Sequence, residues 1–129
     1  MILNGDTFFP IDYALFNSYH DVHMADISIS LREIQDVSQS GHVLKGENHR
    51  ILSFNEKINE KTAGLINGGA YIFNKNILER FNLPEAFSIE KDFFEKHIDR
   101  VKAHGFVFDD YFIDIGTPEN YLKAQSDLT

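Results

Sequence analysis

A single α/β domain with a mixed sheet is the fold this sequence predicts, and three observations predict it. Short apolar runs of strand length alternate with amphipathic stretches of helix length along all 129 residues. No internal repeat, low-complexity tract or linker divides them. A composition of 43% apolar and 25% charged residues suits one core, because a chain of this size buries roughly two thirds of its unfolded surface.

The elements follow in order. Met1 to Leu3 is an apolar run that reads as the tail of a buried strand, and Asn4-Gly5 then delivers Asp6 into a loop. Asp12, after Pro10, is a candidate N-cap for a helix over Tyr13 to His23, with Leu15, Phe16 and Tyr19 at helical spacing. Met24 to Leu31 alternates: Ile27, Ile29 and Leu31 face one way and Asp26, Ser28 and Ser30 the other, the pattern of a half-buried strand. His42 to Lys45 and Arg50 to Phe54 flank Gly46-Glu47-Asn48-His49 as a hairpin, and the polar stretch Asn55 to Gly64 reads as loop.

Leu65 to Phe73 is a strand with adjacent glycines, Gly68 and Gly69, at its centre. Such a pair marks either close approach by a backbone or ligand, or a bulge. Asn76 is a candidate cap for a short helix to Phe81. Ser88 opens a longer one predicted to run to His104 and to end at Gly105, with Ile89, Phe93, Phe94, Ile98 and Val101 as its apolar stripe. Phe106 to Phe108 and Tyr111 to Ile115 read as strands. Thr117 with Pro118 behind it starts a last helix over Glu119 to Leu128.

Composition removes several classes of function. The absence of cysteine excludes disulfides, thiolate metal sites and thiol nucleophiles, and suits a reducing cytoplasm. A formal charge of −8 opposes a sequence-independent grip on nucleic acid or anionic lipid. No apolar run approaches the ~20 residues that span a bilayer, and the first residues lack the basic start and apolar core of a signal peptide. The expectation is a soluble, cytoplasmic protein without nucleic-acid or membrane partners. His20 and His23 stand three apart on a helix, but no third ligand follows at a familiar metal spacing. No Gly-x-Ser-x-Gly nucleophile motif occurs.

Two acids stand out by position. Asp6 and Asp114 each follow an apolar run, and in open α/β sheets ligands gather beyond the carboxyl ends of strands. Two carboxylates converging there suit Mg²⁺, which takes oxygen ligands and keeps several waters; each acid can equally cap a turn. Glu56-Lys57 offers an acid and a base just past a strand end, a pair equally at home on a solvated surface. Asn67-Gly68 offers an amide on a bare backbone, against which a polyhydroxylated ring can lie.

These residues carry a resemblance. Leu3-Asn4-Gly5-Asp6, Phe54-x-Glu56-Lys57, Ile66-Asn67-Gly68-Gly69-Ala70-Tyr71-Ile72-Phe73, Phe87-Ser88-Ile89-Glu90-Lys91-Asp92 and Asp114-Ile115-Gly116-Thr117-Pro118-Glu119-x-Tyr121 together resemble the sugar-1-phosphate nucleotidyltransferases. The branch they look most like forms GDP-mannose or GDP-heptose from GTP and the sugar 1-phosphate. The resemblance implies a Rossmann-like (GT-A-like) nucleotidyltransferase domain, of which residues 1–129 are the C-terminal, sugar-phosphate-binding part. It implies that Asp6 and Asp114 hold Mg²⁺ and are catalytic together with Lys57. It also implies that Glu56, Lys57, Asn67, Gly68 and Glu90 bind the sugar phosphate. The family's glycine-rich Gly-Gly-x-Gly-Thr-Arg-Leu loop, which cradles the triphosphate, does not occur in these residues. This chain alone is therefore expected to be the half of a transferase that lacks its N-terminal nucleotide-binding part, with little turnover. The alternative is a non-catalytic binding or interaction module built on that scaffold. Either way, an exposed strand edge beside Asp6 is expected to drive homo-oligomer formation.

Overall fold

The computed structural model describes residues 1–38, 42–55 and 61–129. The strands are β1 (Ile2–Leu3), β2 (Thr7–Phe8), β3 (Ile27–Ile34), β4 (His42–Lys45), β5 (Ile51–Asn55), β6 (Gly64–Phe73), β7 (Ala103–Val107) and β8 (Ile113–Asp114). The principal helices are α1 (Tyr13–Val22) and, after the three-residue α2 (Glu95–His97), α3 (Pro118–Asp127). The main sheet runs β5-β4-β6-β3-β7, with β1 added to β6 beyond the end of β4. It is mixed: β3 pairs antiparallel with β6 and parallel with β7. A second, two-stranded ribbon joins β2 to β8.

The predicted α/β class holds, and the helix caps form where the sequence places them. Asp12 Oδ1 accepts the Leu15 N–H at 3.0 Å, and Thr117 Oγ1 accepts that of Asn120 at 3.2 Å. Leu15 nevertheless points outward, and α1 buries Phe16 and His20 instead.

β3 departs from the half-buried expectation. Its apolar side, Ile27, Ile29 and Leu31, packs with Tyr71, Phe93 and Phe94. The serine side is covered too, on the face that carries Phe9, Phe16, Phe106 and Phe108, and Ser28 and Ser30 are both 0% exposed. Ser28 Oγ is 2.7 Å from His20 Nδ1, and the other ring nitrogen of His20 meets Asn74 Oδ1 at 2.8 Å. Small hydroxyl side chains let α1 approach the sheet while their polarity is satisfied.

Three further boundaries are corrected. β1 is not buried: Met1, Ile2 and Leu3 are about half exposed, because this two-residue strand has only β6 as a described neighbour. The segment after Ser88 forms a π-helix (Ile89–Phe94), then α2, then a 3₁₀ turn that stops at Arg100. Gly105 therefore does not cap a helix but lies inside β7, where a Cβ would collide with the Leu31 side chain. Parallel pairing with β3 claims Ala103 to Val107 for the sheet. Asn76 adopts a left-handed backbone, φ 69°, without a side-chain cap, so the helix after it is a single 3₁₀ turn (Ile77–Arg80).

Candidate active site

The site grows from two loops that the β2–β8 ribbon zips together. Thr7 pairs with Asp114 and Phe8 with Ile113, and the Ile115 N–H donates to the Asp6 carbonyl at 2.8 Å. Buried Ile113 anchors the ribbon from inside. Both carboxylates consequently face one spot. A Cβ on Gly116 would stand 3.0 Å from Asp114 Oδ1 and 3.7 Å from Asp6 Oδ2. Asp114 also performs the local turn role, because its Oδ1 accepts the Gly116 N–H at 2.7 Å. Both acids are exposed to solvent.

Among the described residues no group of three or more His, Asp or Glu is arranged to enclose a metal. Mg²⁺ does not require one, since it binds through one or two carboxylates and completes its shell with water and phosphate oxygens. The two carboxylates meeting over Gly116 fit that demand. Beside Asp6 a cleft of about 370 Å³ opens toward α3, walled by Phe8, Ile115, Tyr121 and Leu128.

A second group of polar residues converges around Asn67 on β6. The Asn67 side chain is heavily committed: Nδ2 donates to the Tyr71 hydroxyl and, at 3.2 Å, to Glu90 Oε1, while Oδ1 accepts the Gly69 N–H at 2.8 Å. Asn67 and Glu90, placed together by the sequence resemblance, do meet. They meet through a bracket, not across an open shelf.

At Gly68 the direction a side chain would take is already occupied. A Cβ there would strike Phe9 Cε2 at 2.6 Å and Ser30 Oγ at 2.7 Å, so the chain itself fills the space the glycine leaves. Gly69 takes φ 81° at an irregularity in the β3–β6 ladder, where Ser30 Oγ accepts the Ala70 N–H at 3.1 Å. Of the two readings of the glycine pair, the irregular ladder fits the bulge, whereas the groups that approach Gly68 are the side chains of Phe9 and Ser30, neither a backbone nor a ligand. Glu56 and Lys57 lie outside the described residues.

Sequence reading passed over Tyr71 and Asn4. Tyr71 is 0% exposed. Its phenol is pushed up to about 12, chiefly by burial; the Asn67 hydrogen bond works against that, and the nearby Glu90 and Asp6 charges add to it. One hydroxyl thus senses both the Asp6 loop and Glu90. A lone phenol in an otherwise apolar strand is the available signal, since a buried Tyr hydroxyl needs a partner and Asn67 stands four residues before it.

A mixed α/β sheet with two carboxylates brought together by a short ribbon at its edge frames the candidate site, and comparison with known proteins gives the family. All of residues 1–129 match the family described as nucleotidyl transferase, and the chain belongs to that family. It is 41% identical over 128 residues to the D-glycero-alpha-D-manno-heptose 1-phosphate guanylyltransferase of Aneurinibacillus thermoaerophilus, covering 99% of this chain and 55% of that protein. The mannose-1-phosphate guanylyltransferase of Mycobacterium tuberculosis is 30% identical over 130 residues, with 99% and 36% covered. Among solved structures, HddC from Yersinia pseudotuberculosis superimposes with a TM-score of 0.83 at 35% identity, over 98% of this chain and 54% of that one. Its complex with GMP-PN gives 0.82 at the same identity and coverage. The chain spans about half the length of the guanylyltransferases it matches most fully. Among the described residues no helix is long and apolar enough to cross a membrane.

Proposed function

We propose that this chain supplies the sugar-phosphate side of a guanylyltransferase that joins GTP and a sugar 1-phosphate, of the mannose or heptose type, into a GDP-sugar. The observation that carries the reading is the convergence of Asp6 and Asp114 over Gly116, next to the Asn67–Tyr71–Glu90 bracket. In this reaction a phosphate oxygen of the sugar attacks the α-phosphorus in line and pyrophosphate leaves, so catalysis rests on positioning and charge neutralisation. Asp6 and Asp114 would hold Mg²⁺, which offsets the negative charge of the phosphates when bound. Glu90 and the remaining acceptor site on Asn67 Oδ1 take sugar hydroxyls, the Gly68 backbone borders the ring, and Glu56 and Lys57 bind a hydroxyl and the phosphate. The guanylyltransferase names of the relatives and the GMP-PN complex of a structural neighbour favour a guanine nucleotide.

Calorimetric titration of mannose 1-phosphate and of heptose 1-phosphate into the chain, with and without Mg²⁺, tests the proposal. Binding that Mg²⁺ strengthens, and that loses this response in Asp114→Asn, is expected; absent or metal-indifferent binding overturns it. GDP-sugar formation by this chain alone is expected to be slight, because interactions with the nucleotide act mostly in the transition state. Turnover within about tenfold of a full-length relative overturns that division of labour. We also infer that a second copy covers the exposed Ile2, Leu3, Phe8 and Tyr121 surface beside the β1 edge. Light scattering decides this: a mass near 14.8 kDa at every concentration refutes it.

A further inference from the structure

We propose that Tyr71 is a positioning residue of this site: its hydroxyl fixes the side-chain amide of Asn67 and, through that amide, ties β6 to the turn carrying Glu90. The assignment of the surrounding site to a sugar 1-phosphate rests on the function proposed above; the tie itself rests on geometry.

The ring end of Tyr71 is core, packed 5.3 Å from the Phe94 ring centre and 6.3 Å from that of Phe73. The hydroxyl end meets a polar side chain. Asn67 Nδ2 donates to it, and because that nitrogen also donates to Glu90 Oε1 while Oδ1 takes the Gly69 N–H, the amide is held in a single orientation. Without the hydroxyl one amide hydrogen loses its partner. The bracket would then be free to turn, and its open acceptor site would no longer face one way.

Asn4 approaches β6 beside this group. Its backbone N–H donates to the Gly69 carbonyl at 2.8 Å, and its side chain packs where a Gly69 Cβ would be. Asn4 stands two residues before Asp6. The π-helix that carries Glu90 begins at Ile89. The Asn67 amide that this hydroxyl holds therefore joins β6 to the π-helix, and the Asn4 backbone bond to Gly69 lays the β1–β2 loop alongside. Burial keeps that phenol protonated through the physiological range, so the connection does not titrate away.

The test is Tyr71→Phe, which keeps the packed ring and removes one oxygen. In ¹⁵N–¹H spectra the Asn67 side-chain amide is expected to shift and to exchange its protons faster, with the backbone pattern retained. Affinity for mannose 1-phosphate in Mg²⁺ is expected to weaken by about tenfold, the upper range for losing one hydrogen bond. An unmoved Asn67 amide in Tyr71→Phe overturns the proposal. If the wild-type chain binds no sugar 1-phosphate, the functional reading fails, while the amide spectra still decide the role of Tyr71.

Discussion

Gly68 decides at the scale of one residue how β6 sits under the site. A methyl there collides with the Phe9 ring and with Ser30 Oγ, both fixed in the packed interior, whereas a methyl on Gly5 meets nothing within 4 Å. Gly68→Ala is expected to cost about 1–3 kcal/mol of unfolding free energy through overpacking. Gly5→Ala is expected to stay within about 0.5 kcal/mol. Urea titration of the two variants checks both, and a neutral Gly68→Ala would mean that Phe9 is loosely held. The residues legible from sequence were those whose context is local. Asp6 and Asp114 advertise themselves by ending apolar runs, and Asp12, Ser88 and Thr117 by preceding helices. Tyr71 did not, because its ring belongs to the core and the Glu90 bond that completes its bracket with Asn67 comes from another element. The occupancy of the Gly68 space was equally hidden, since Phe9 reaches it across the fold.

Among the elements, the π-helix is the one whose start sequence foretells and whose geometry it conceals. Ser88 behaves as a reciprocal cap: its Oγ accepts the Lys91 N–H at 3.2 Å, and its own N–H donates to Asp92 Oδ2 at 2.8 Å. Ser88→Ala is expected to cost about 1 kcal/mol. Because Glu90 lies in the first turn, the same change is expected to release its bond to Asn67, seen as an altered Asn67 side-chain amide; a loss of stability with that amide unmoved would separate the cap from the site. The widened turn and the early stop at Arg100 were not readable, since the apolar stripe from Ile89 to Val101 fits several helical pitches equally well. The strand that follows is set by pairing with β3, a long-range term that no local window contains. β2 and β8, two residues each, are too short to carry a periodicity at all. For β3 the alternation was right and its meaning was not, because a serine face covered by a helix looks in sequence like one open to water.

For the whole molecule, acid sensitivity follows from three histidines gathered far along the chain from one another. The His23 ring lies 5.4 Å from that of His49 and 5.3 Å from that of His104, with Phe106 packed against all three. His49 and His104 are both held below the ordinary imidazole value of 6.5, first by burial. Lys45 and His23 depress His49 further, and His23 and Arg50 depress His104. The unfolded chain, whose histidines protonate near 6.5, therefore binds protons that the fold resists. This contribution to stability is fully present above about pH 6.5 and is lost as pH falls through the lower folded values. The net charge of −8 acts in the opposite sense, since acidification relieves self-repulsion, so the wild-type slope alone is ambiguous. A variant resolves it. His104 is 4% exposed and stacks on Phe106, and among the described residues its Nδ1 has no hydrogen-bond partner, so a phenylalanine ring fits its place. His104→Phe is expected to be at least as stable as wild type at pH 7.5 and to lose less stability between pH 7 and pH 5, measured by urea titration at each pH. Parallel pH profiles for the two proteins would show that the His104 proton is not linked to folding.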